Sequence, residues 1–143
     1  MAEKIIIGSD HGGFNLKIEI IKHLEELGYE VSDLGCYSKE SCDYPLIAKS
    51  VAEKVLDSNS RGILICGTGI GVSIAANRYK GIRAALLYDD NVALMTRKHN
   101  DANVMVFGGR TMNKEDVFNR IDIFLNTEFE GGRHQKRIDM LDF

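Results

Sequence analysis

Short apolar runs alternate along this chain with longer segments in which apolar residues recur every three or four positions. The runs predict strands, because continuous or alternating apolar residues over such lengths suit a sheet, and the longer segments have helical spacing. The predicted strands cover residues 4–8, 29–34, 62–66, 82–88 and 103–107. The predicted helices cover residues 14–27, 45–56, 69–79, 91–99 and 114–125, followed by a helical tail over 131–141.

Strand and helix thus alternate five times, which predicts a parallel sheet with helices on both faces. Strands that are apolar throughout, such as 62–66, are typical of strands buried on both faces. We therefore expect an α/β protein of the three-layer α/β/α sandwich class, Rossmann-like, with five parallel strands and a C-terminal helical tail. Ligands of such sheets bind outside the carboxyl ends of the strands, so polar residues just after a strand are the first functional candidates.

Composition narrows the class of protein without naming a function. The chain has 143 residues, the size of one domain, and we expect a single domain over residues 1–143. Hydrophobic residues make up 44% and charged residues 27%, and the net charge is −3, which argues against a nucleic-acid partner. The first apolar run is too short for a signal peptide and no run reaches the length of a membrane span, so we expect a cytoplasmic protein with no membrane partner.

Three cysteines, Cys36, Cys42 and Cys66, are present, and no two of them have the spacing of a zinc or redox motif. Cys36 and Cys42 are close enough in sequence to form a bridge. Free thiols in a reducing compartment are the simpler interpretation.

Residues 62–71 form the most informative segment, because an apolar strand ends there at Cys66 and a glycine-rich turn opens the next helix. Backbone N–H groups at a helix start attract anions, and their field favours a thiolate over a thiol. A base beside an anion hole suits removal of a proton next to a carbonyl. Val72 stands where a dinucleotide fingerprint needs glycine, and no Gly-Lys-Ser/Thr follows. A buried structural cysteine in a tight turn is the alternative, but glycines at 67, 69 and 71 exceed what such a turn needs.

Other strand ends carry further candidates. Asp10 and His11 follow the first strand, and Asp10 serves equally well as a helix cap. Arg110 offers a cation after the last strand. Tyr44 either packs or presents its hydroxyl to a ligand.

The tail carries Arg133 and Arg137, four residues apart and hence on one helix face. Two guanidinium groups on one face make a phosphate clamp, and a solvated charged helix is the alternative. His99 alone is a weak candidate, since cations are common near the end of a helix.

Several blocks, in order along nearly the whole chain, resemble the ribose-5-phosphate isomerase B family, which also contains galactose-6-phosphate and allose-6-phosphate isomerases. The matching blocks are Ser9-Asp10-His11, Asp43-Tyr44-Pro45, Gly62 to Gly71, Ser73 to Asn77, Gly81 to Ala84, His99 to Asn103, and Glu130 to His134.

The resemblance implies an aldose–ketose isomerase that interconverts D-ribose 5-phosphate and D-ribulose 5-phosphate through a cis-enediolate, in the non-oxidative branch of the pentose phosphate pathway. It implies that Cys66 is the base that moves a proton between C1 and C2, with the Thr68 hydroxyl assisting. It implies that His99 opens the furanose ring and that Asp10 holds sugar hydroxyls.

The resemblance also implies the binding residues. Backbone N–H groups of the turn hold the enediolate, four side chains bind phosphate, and two contact the sugar. The turn residues are Gly67, Gly69, Ile70 and Gly71. The phosphate-binding residues are His11, Arg110, Arg133 and Arg137, and the residues that contact the sugar are Tyr44 and Asn100.

The same resemblance implies no metal and no cofactor, and a homodimer or dimer of dimers whose sites are shared between chains. An allose- or galactose-6-phosphate isomerase and a non-catalytic phosphate-binding module are the alternative functions. A thiol redox protein is disfavoured because the chain has no Cys-x-x-Cys motif.

Overall fold

The computed structural model describes residues 3–142 and contains five parallel strands in a single sheet, in the order β2-β1-β3-β5-β4. The strands are β1 (Lys4–Ser9), β2 (Glu30–Asp33), β3 (Arg61–Cys66), β4 (Ala84–Leu86) and β5 (Val104–Gly108). The chain moves outward from β1 to β2 and then returns to pair β3 on the other side of β1. The strand order therefore reverses between β1 and β3, where sheets of this kind bind ligands.

Helices cover both faces of the sheet, as predicted. They are α1 (Phe14–Glu26), α2 (Tyr44–Ser58), α3 (Ile70–Ala76), α4 (Asp90–Asn100), α5 (Lys114–Leu125) and α6 (Arg133–Ile138). Buried side chains of α1, α4 and α5 share one core cluster, and those of α2 and α3 share the other. Helix α6 packs on α4 and forms the predicted helical tail. The three-layer α/β/α class is confirmed.

Alternation within the strands sorts side chains between the two cores, because successive residues of a strand point to opposite faces. Ile63 and Ile65 enter the core beneath α1, α4 and α5. Leu64 and Cys66 enter the core beneath α2 and α3. The cysteine at the end of β3 thus lies on the side from which α3 departs.

Four local features differ from the expectations. β4 is confined to Ala84–Leu86, and α3 ends at Ala76 rather than near 79. A short 3-10 helix over His11–Gly13 follows β1. Cys36 and Cys42 are joined in a disulfide, so their interpretation as free thiols is wrong, and Cys66 is the free cysteine.

Within residues 3–142, no helix is both long and apolar enough to cross a membrane. The single domain over residues 1–143 stays a prediction, and residues 1, 2 and 143 lie outside the described part.

Candidate active site

Three strands of the sheet bring their carboxyl ends together around Cys66. The backbone N–H of Asp10, after β1, donates to Ile65 of β3 at 3.2 Å. On the other side, Gly109 donates to the carbonyl of Cys66 at 2.8 Å and Arg110 to that of Gly67 at 2.9 Å. We call this region the carboxyl edge. It collects the predicted residues Asp10, His11, Tyr44, Cys66, Gly67, Thr68, Gly69, Ile70, Gly71 and Arg110.

Cys66 lies at the centre of this edge and is 6% exposed. The backbone N–H of Gly69 donates to its Sγ at 3.2 Å, which fixes the sulfur against the turn. Gly69 precedes α3 with φ +83°, a conformation that strongly favours glycine. A Cβ there would lie 2.5 Å from Leu86 Cδ1, so the residue is also required by its surroundings.

The start of α3 supplies further backbone donors. Thr68 Oγ1 accepts from the N–H of Ile70 at 3.2 Å. Ile70 and Gly71 belong to the first turn of the helix, where N–H groups have no acceptor within the helix. The Tyr44 ring lies against Gly71, since a Cβ on that glycine would come within 2.8 Å of the ring. Glycine is therefore needed at 71 to let the aromatic ring approach the turn.

Asp10 and His11 lie beside this turn. Asp10 is 8% exposed, and its Oδ1 accepts from the N–H of Gly12 at 2.9 Å, so the predicted capping role is confirmed. The backbone N–H of Cys42 donates to His11 Nδ1 at 3.2 Å, which leaves Nε2 to carry the proton of a neutral ring. The disulfide and the fully buried Lys17, which bonds Asp33 at 2.8 Å and also the Cys36 carbonyl, fix the segment that provides this donor.

Positive charge is provided by Arg110, whose guanidinium lies over Gly67. A Cβ on that glycine would stand 3.3 Å from Arg110 NH1. The arginine is exposed, so its charge is available to a ligand at the turn.

The remaining predicted residues, His99, Asn100, Arg133 and Arg137, lie elsewhere in the chain. Helix α4 leaves the carboxyl end of β4 and runs back along the sheet, so its last turn lies beside the strand starts. Two hydrogen bonds mark this position: Gly62 N–H donates to Asn103 at 2.9 Å, and Arg83 Nε donates to the Asn100 carbonyl at 3.1 Å. We call this region the amino edge.

The length of β3 separates the two edges. Its six residues span about 20 Å at ~3.3 Å per residue. One chain therefore does not bring His99 to Cys66. Each chain carries two halves of the predicted site.

The amino edge has its own cluster of titratable side chains. The His99 and His134 rings stack with centroids 4.3 Å apart, and Glu130 Oε1 lies 3.8 Å from His99 Nε2 and 3.5 Å from His134 Nε2. Burial, and then the neighbouring His99 and Arg133, lower the pKa of His134 below its usual 6.5. Glu130 and His134 were not among the predicted site residues. Their position in one of the blocks that carry the resemblance was the signal that pointed to them.

Known proteins match this chain over nearly its whole length. The model of the Ribose/Galactose Isomerase family matches residues 5–141. Ribose-5-phosphate isomerase B of Escherichia coli (strain K12) is 47% identical, over 97% of this chain and 94% of that protein. The solved structure of a ribose 5-phosphate isomerase from Thermotoga maritima has a TM-score of 0.97 and 49% identity, and the match covers 99% of both chains. That of Clostridium thermocellum ribose-5-phosphate isomerase B has a TM-score of 0.93 and 50% identity, covering 95% of this chain and 93% of that one.

The doubly wound fold, the thiol held over a turn of backbone donors and these relatives define an enzyme of the isomerase class. Within that class, the chain belongs to the ribose/galactose isomerase family.

Proposed function

We propose that the protein interconverts D-ribose 5-phosphate and D-ribulose 5-phosphate. The relatives at 47–50% identity named above carry that activity in their names. The observation that carries the proposal is the Sγ of Cys66, fixed over the turn of residues 67–71 by the Gly69 N–H.

The reaction moves one proton between two carbons, and the thiolate of Cys66 is the base for it. In the direction of the ketose, the sulfur takes the proton from C2, the electron pair forms the enediolate, and the same sulfur returns the proton to C1. The hydroxyl proton moves from O2 to O1, with the Thr68 hydroxyl beside the reacting carbons.

The negative charge of the enediolate is the main barrier, and the turn is suited to lowering it. Backbone N–H groups at residues 67–71 are held in position by the strand and by the start of α3. Those of Gly69 and Ile70 exchange their acceptors, Cys66 Sγ and Thr68 Oγ1, for the enediolate. One donor of such a hole typically contributes ~2.7–4 kcal/mol to the stabilisation of the transition state.

Ring opening and phosphate binding fall to the amino edge, where we assign His99 to proton transfer and Arg133 with Arg137 to the phosphate. Both arginines are exposed on α6 and lie four residues apart on one face. Asn100, beside His99, contacts the sugar. At the carboxyl edge, Asp10 holds sugar hydroxyls, Tyr44 contacts the sugar, and His11 and Arg110 add phosphate contacts.

Since the two edges are a sheet length apart within one chain, we assign a complete site to two chains. The amino edge of one chain faces the carboxyl edge of its partner in a homodimer or a dimer of dimers. Helix α3 supports this arrangement, because Ile70 and Ile74 lie one turn apart and are 54% and 56% exposed. Two exposed isoleucines beside the turn form an apolar surface suited to a second copy.

Proton exchange with solvent tests the proposal directly. With ribose 5-phosphate in D2O, we expect deuterium at C2 of the aldose and C1 of the ketose, because the sulfur exchanges its proton between removal and return. Cys66→Ala removes the base, so turnover should fall by at least about 1,000-fold, comparable with the loss of other essential acid–base groups. Turnover within tenfold of wild type would refute the base assignment.

Val106→Ala is the matched control, since Val106 is fully buried in the same core cluster as Cys66 and has no ionisable group. It should lower the melting temperature and retain turnover. A parallel panel with allose 6-phosphate and galactose 6-phosphate distinguishes the five-carbon from the six-carbon substrates. Absence of exchange with all three sugar phosphates would favour a phosphate-binding module.

A further inference from the structure

A second use of the amino edge follows from the arrangement of His99, Glu130 and His134. Their ligand atoms, two imidazole nitrogens and one carboxylate oxygen, all lie within 4.8 Å of one another. Two ligands of a tetrahedral Zn²⁺ at ~2.0–2.1 Å from the metal are about 3.4 Å apart. The distances of 3.5 Å and 3.8 Å from Glu130 Oε1 to His134 Nε2 and His99 Nε2 are close to that value.

The buried member of the group lacks a hydrogen bond at Nε2 within residues 3–142. His134 is 7% exposed, and its Nε2 is buried with no hydrogen bond among the described residues. The atom lies 3.5 Å from Glu130 Oε1. A buried polar nitrogen without a hydrogen bond costs free energy, and a ligand between these three side chains would satisfy it.

The backbone holds the three residues together without a metal, and the stacked His99 and His134 rings, inclined by 15°, must turn for both Nε2 lone pairs to face one ion. Glu130 N–H donates to the carbonyl of Lys98 at 3.1 Å, which ties the carboxylate beside His99. Gly131 and Gly132 then turn the chain with φ of +71° and +61°, so that His134 folds back four residues after Glu130.

We infer that His99, Glu130 and His134 form a site for a divalent transition-metal ion such as Zn²⁺, and that an ion bound there inhibits the enzyme by occupying His99. Two imidazoles and a carboxylate with an open fourth position are a ligand set that Zn²⁺ accepts. In one chain alone, the side chains of His99 and Glu130 are 35% and 48% exposed, which gives the ion a path from solvent when the partner does not cover this edge. Arg133 and Arg137 repel a cation, so the site suits an ion that binds imidazole strongly rather than Mg²⁺ or Ca²⁺.

Binding is tested with Co²⁺ in the full-length Cys66→Ala protein without reductant, so that no free thiol competes. We expect one Co²⁺ per chain, visible absorption of an imidazole and carboxylate site, no sulfur-to-cobalt charge transfer, and displacement by Zn²⁺. His134→Gln should weaken binding by at least about 100-fold, because loss of a ligand costs more than loss of a group that only orients one, which costs about 10–100-fold.

Two further variants keep the result unambiguous. Glu130→Gln changes a side chain that is half exposed and should also weaken binding, which guards against a folding defect in His134→Gln. His23→Gln is the matched control: His23 also contacts a carboxylate, at 2.8 Å from Asp122, and also stacks, on Phe118, yet has no second imidazole beside it. It should bind as wild type does.

Loss of all binding in Cys66→Ala, or equal affinity in His134→Gln and the parent, would overturn the site. The inhibition rests on the proposed function and is measured separately, as loss of ribose 5-phosphate turnover by wild type with added Zn²⁺ and its relief by Glu130→Gln or by a chelator. If Co²⁺ binds as expected but no sugar phosphate is turned over, the proposed function fails and the metal site stands. Binding with undiminished turnover would overturn the inhibition.

Discussion

Individual residues at the carboxyl edge are constrained by backbone conformation as much as by chemistry. Gly69 and Gly28 both have φ near +90°, at +83° and +92°. A Cβ at Gly28 has nothing within 4 Å, whereas one at Gly69 would press on Leu86 and on the Phe107 carbonyl. Alanine substitutions at these two positions therefore distinguish the energetic cost of the left-handed conformation from that of steric crowding by the added methyl group.

We predict that Gly28→Ala lowers the free energy of unfolding by ~1–2 kcal/mol, the strain of a left-handed residue. Gly69→Ala should lower it by a further ~1–3 kcal/mol, because its methyl group overpacks the site. It should also reduce turnover, since the Gly69 N–H must move away from Cys66 Sγ. Urea unfolding and kinetics of both variants measure these effects, and equal losses of stability would contradict the crowding argument.

His134 links stability to pH. Its pKa is lowered in the folded protein, chiefly by burial. The unfolded chain therefore binds the proton more readily, so the contribution of this group is fully present above about pH 6.5 and is lost as pH falls.

We predict that the melting temperature decreases between pH 7.5 and pH 5, and that His134→Gln makes this decrease shallower. Gln135→Ala, at the exposed neighbouring residue, should keep the slope of wild type. Thermal unfolding across the pH range gives the comparison, and parallel curves for wild type and His134→Gln would refute it.

The site residues were predictable from the sequence to different degrees. Cys66 ends a strand and Asp10, His11 and Arg110 follow strands. Their meeting at one edge follows from a parallel sheet. The position of His99 at the opposite edge was not predicted, because it depends on the return direction of α4. The apolar pattern predicts helix α4, but only the topology of the sheet determines at which edge the C-terminal end of this helix lies.

At the scale of elements, the order of strands and helices was predictable because each has the apolar period of its environment. The bounds of β4 and α3 were not. β4 pairs with a single neighbour, β5, so three residues suffice for its ladder. The Asn77 side chain follows α3 and bonds both backbone groups of Ala84, accepting at 2.8 Å and donating at 2.9 Å. The Asn77 side chain thus pairs with backbone groups of the edge strand β4 as a neighbouring strand would. Helix α3 ends just before this residue.

We predict that Asn77→Ala lowers the free energy of unfolding by ~1–2 kcal/mol, the usual value of two hydrogen bonds to backbone. An unprotected edge also invites pairing with other chains, so light scattering should increase on warming. Asn119→Ala, which removes one surface bond to Asp90, is the control and should change stability by less than ~0.5 kcal/mol. Equal behaviour of the two variants would show that Asn77 does not protect the edge.

At the scale of the whole molecule, the separation of the two edges predicts how defective chains behave when mixed. A dimer of one Cys66→Ala chain and one His99→Ala chain has one site with both defects and one site with neither. With random pairing, half of the dimers are mixed, so activity should return to about a quarter of wild type. Two inactive variants refolded together, or produced together, provide the measurement.

The matched control pairs Cys66→Ala with Asp10→Ala, two defects at the same edge. Every site of that mixture contains one of them, so no activity should return. Recovery in the control, or none in the Cys66 and His99 mixture, would contradict sharing of sites between chains.

The distance between the two edges also determines when activity begins. A newly synthesised chain folds with both halves of a site but has no complete site, because the two halves lie at opposite ends of the strands of one sheet. Under the proposed arrangement, the first turnover waits for an encounter between two chains. At low chain concentration, the rate at which isomerase activity appears then increases with the square of that concentration, as in a second-order reaction. Each folded chain by itself has no activity.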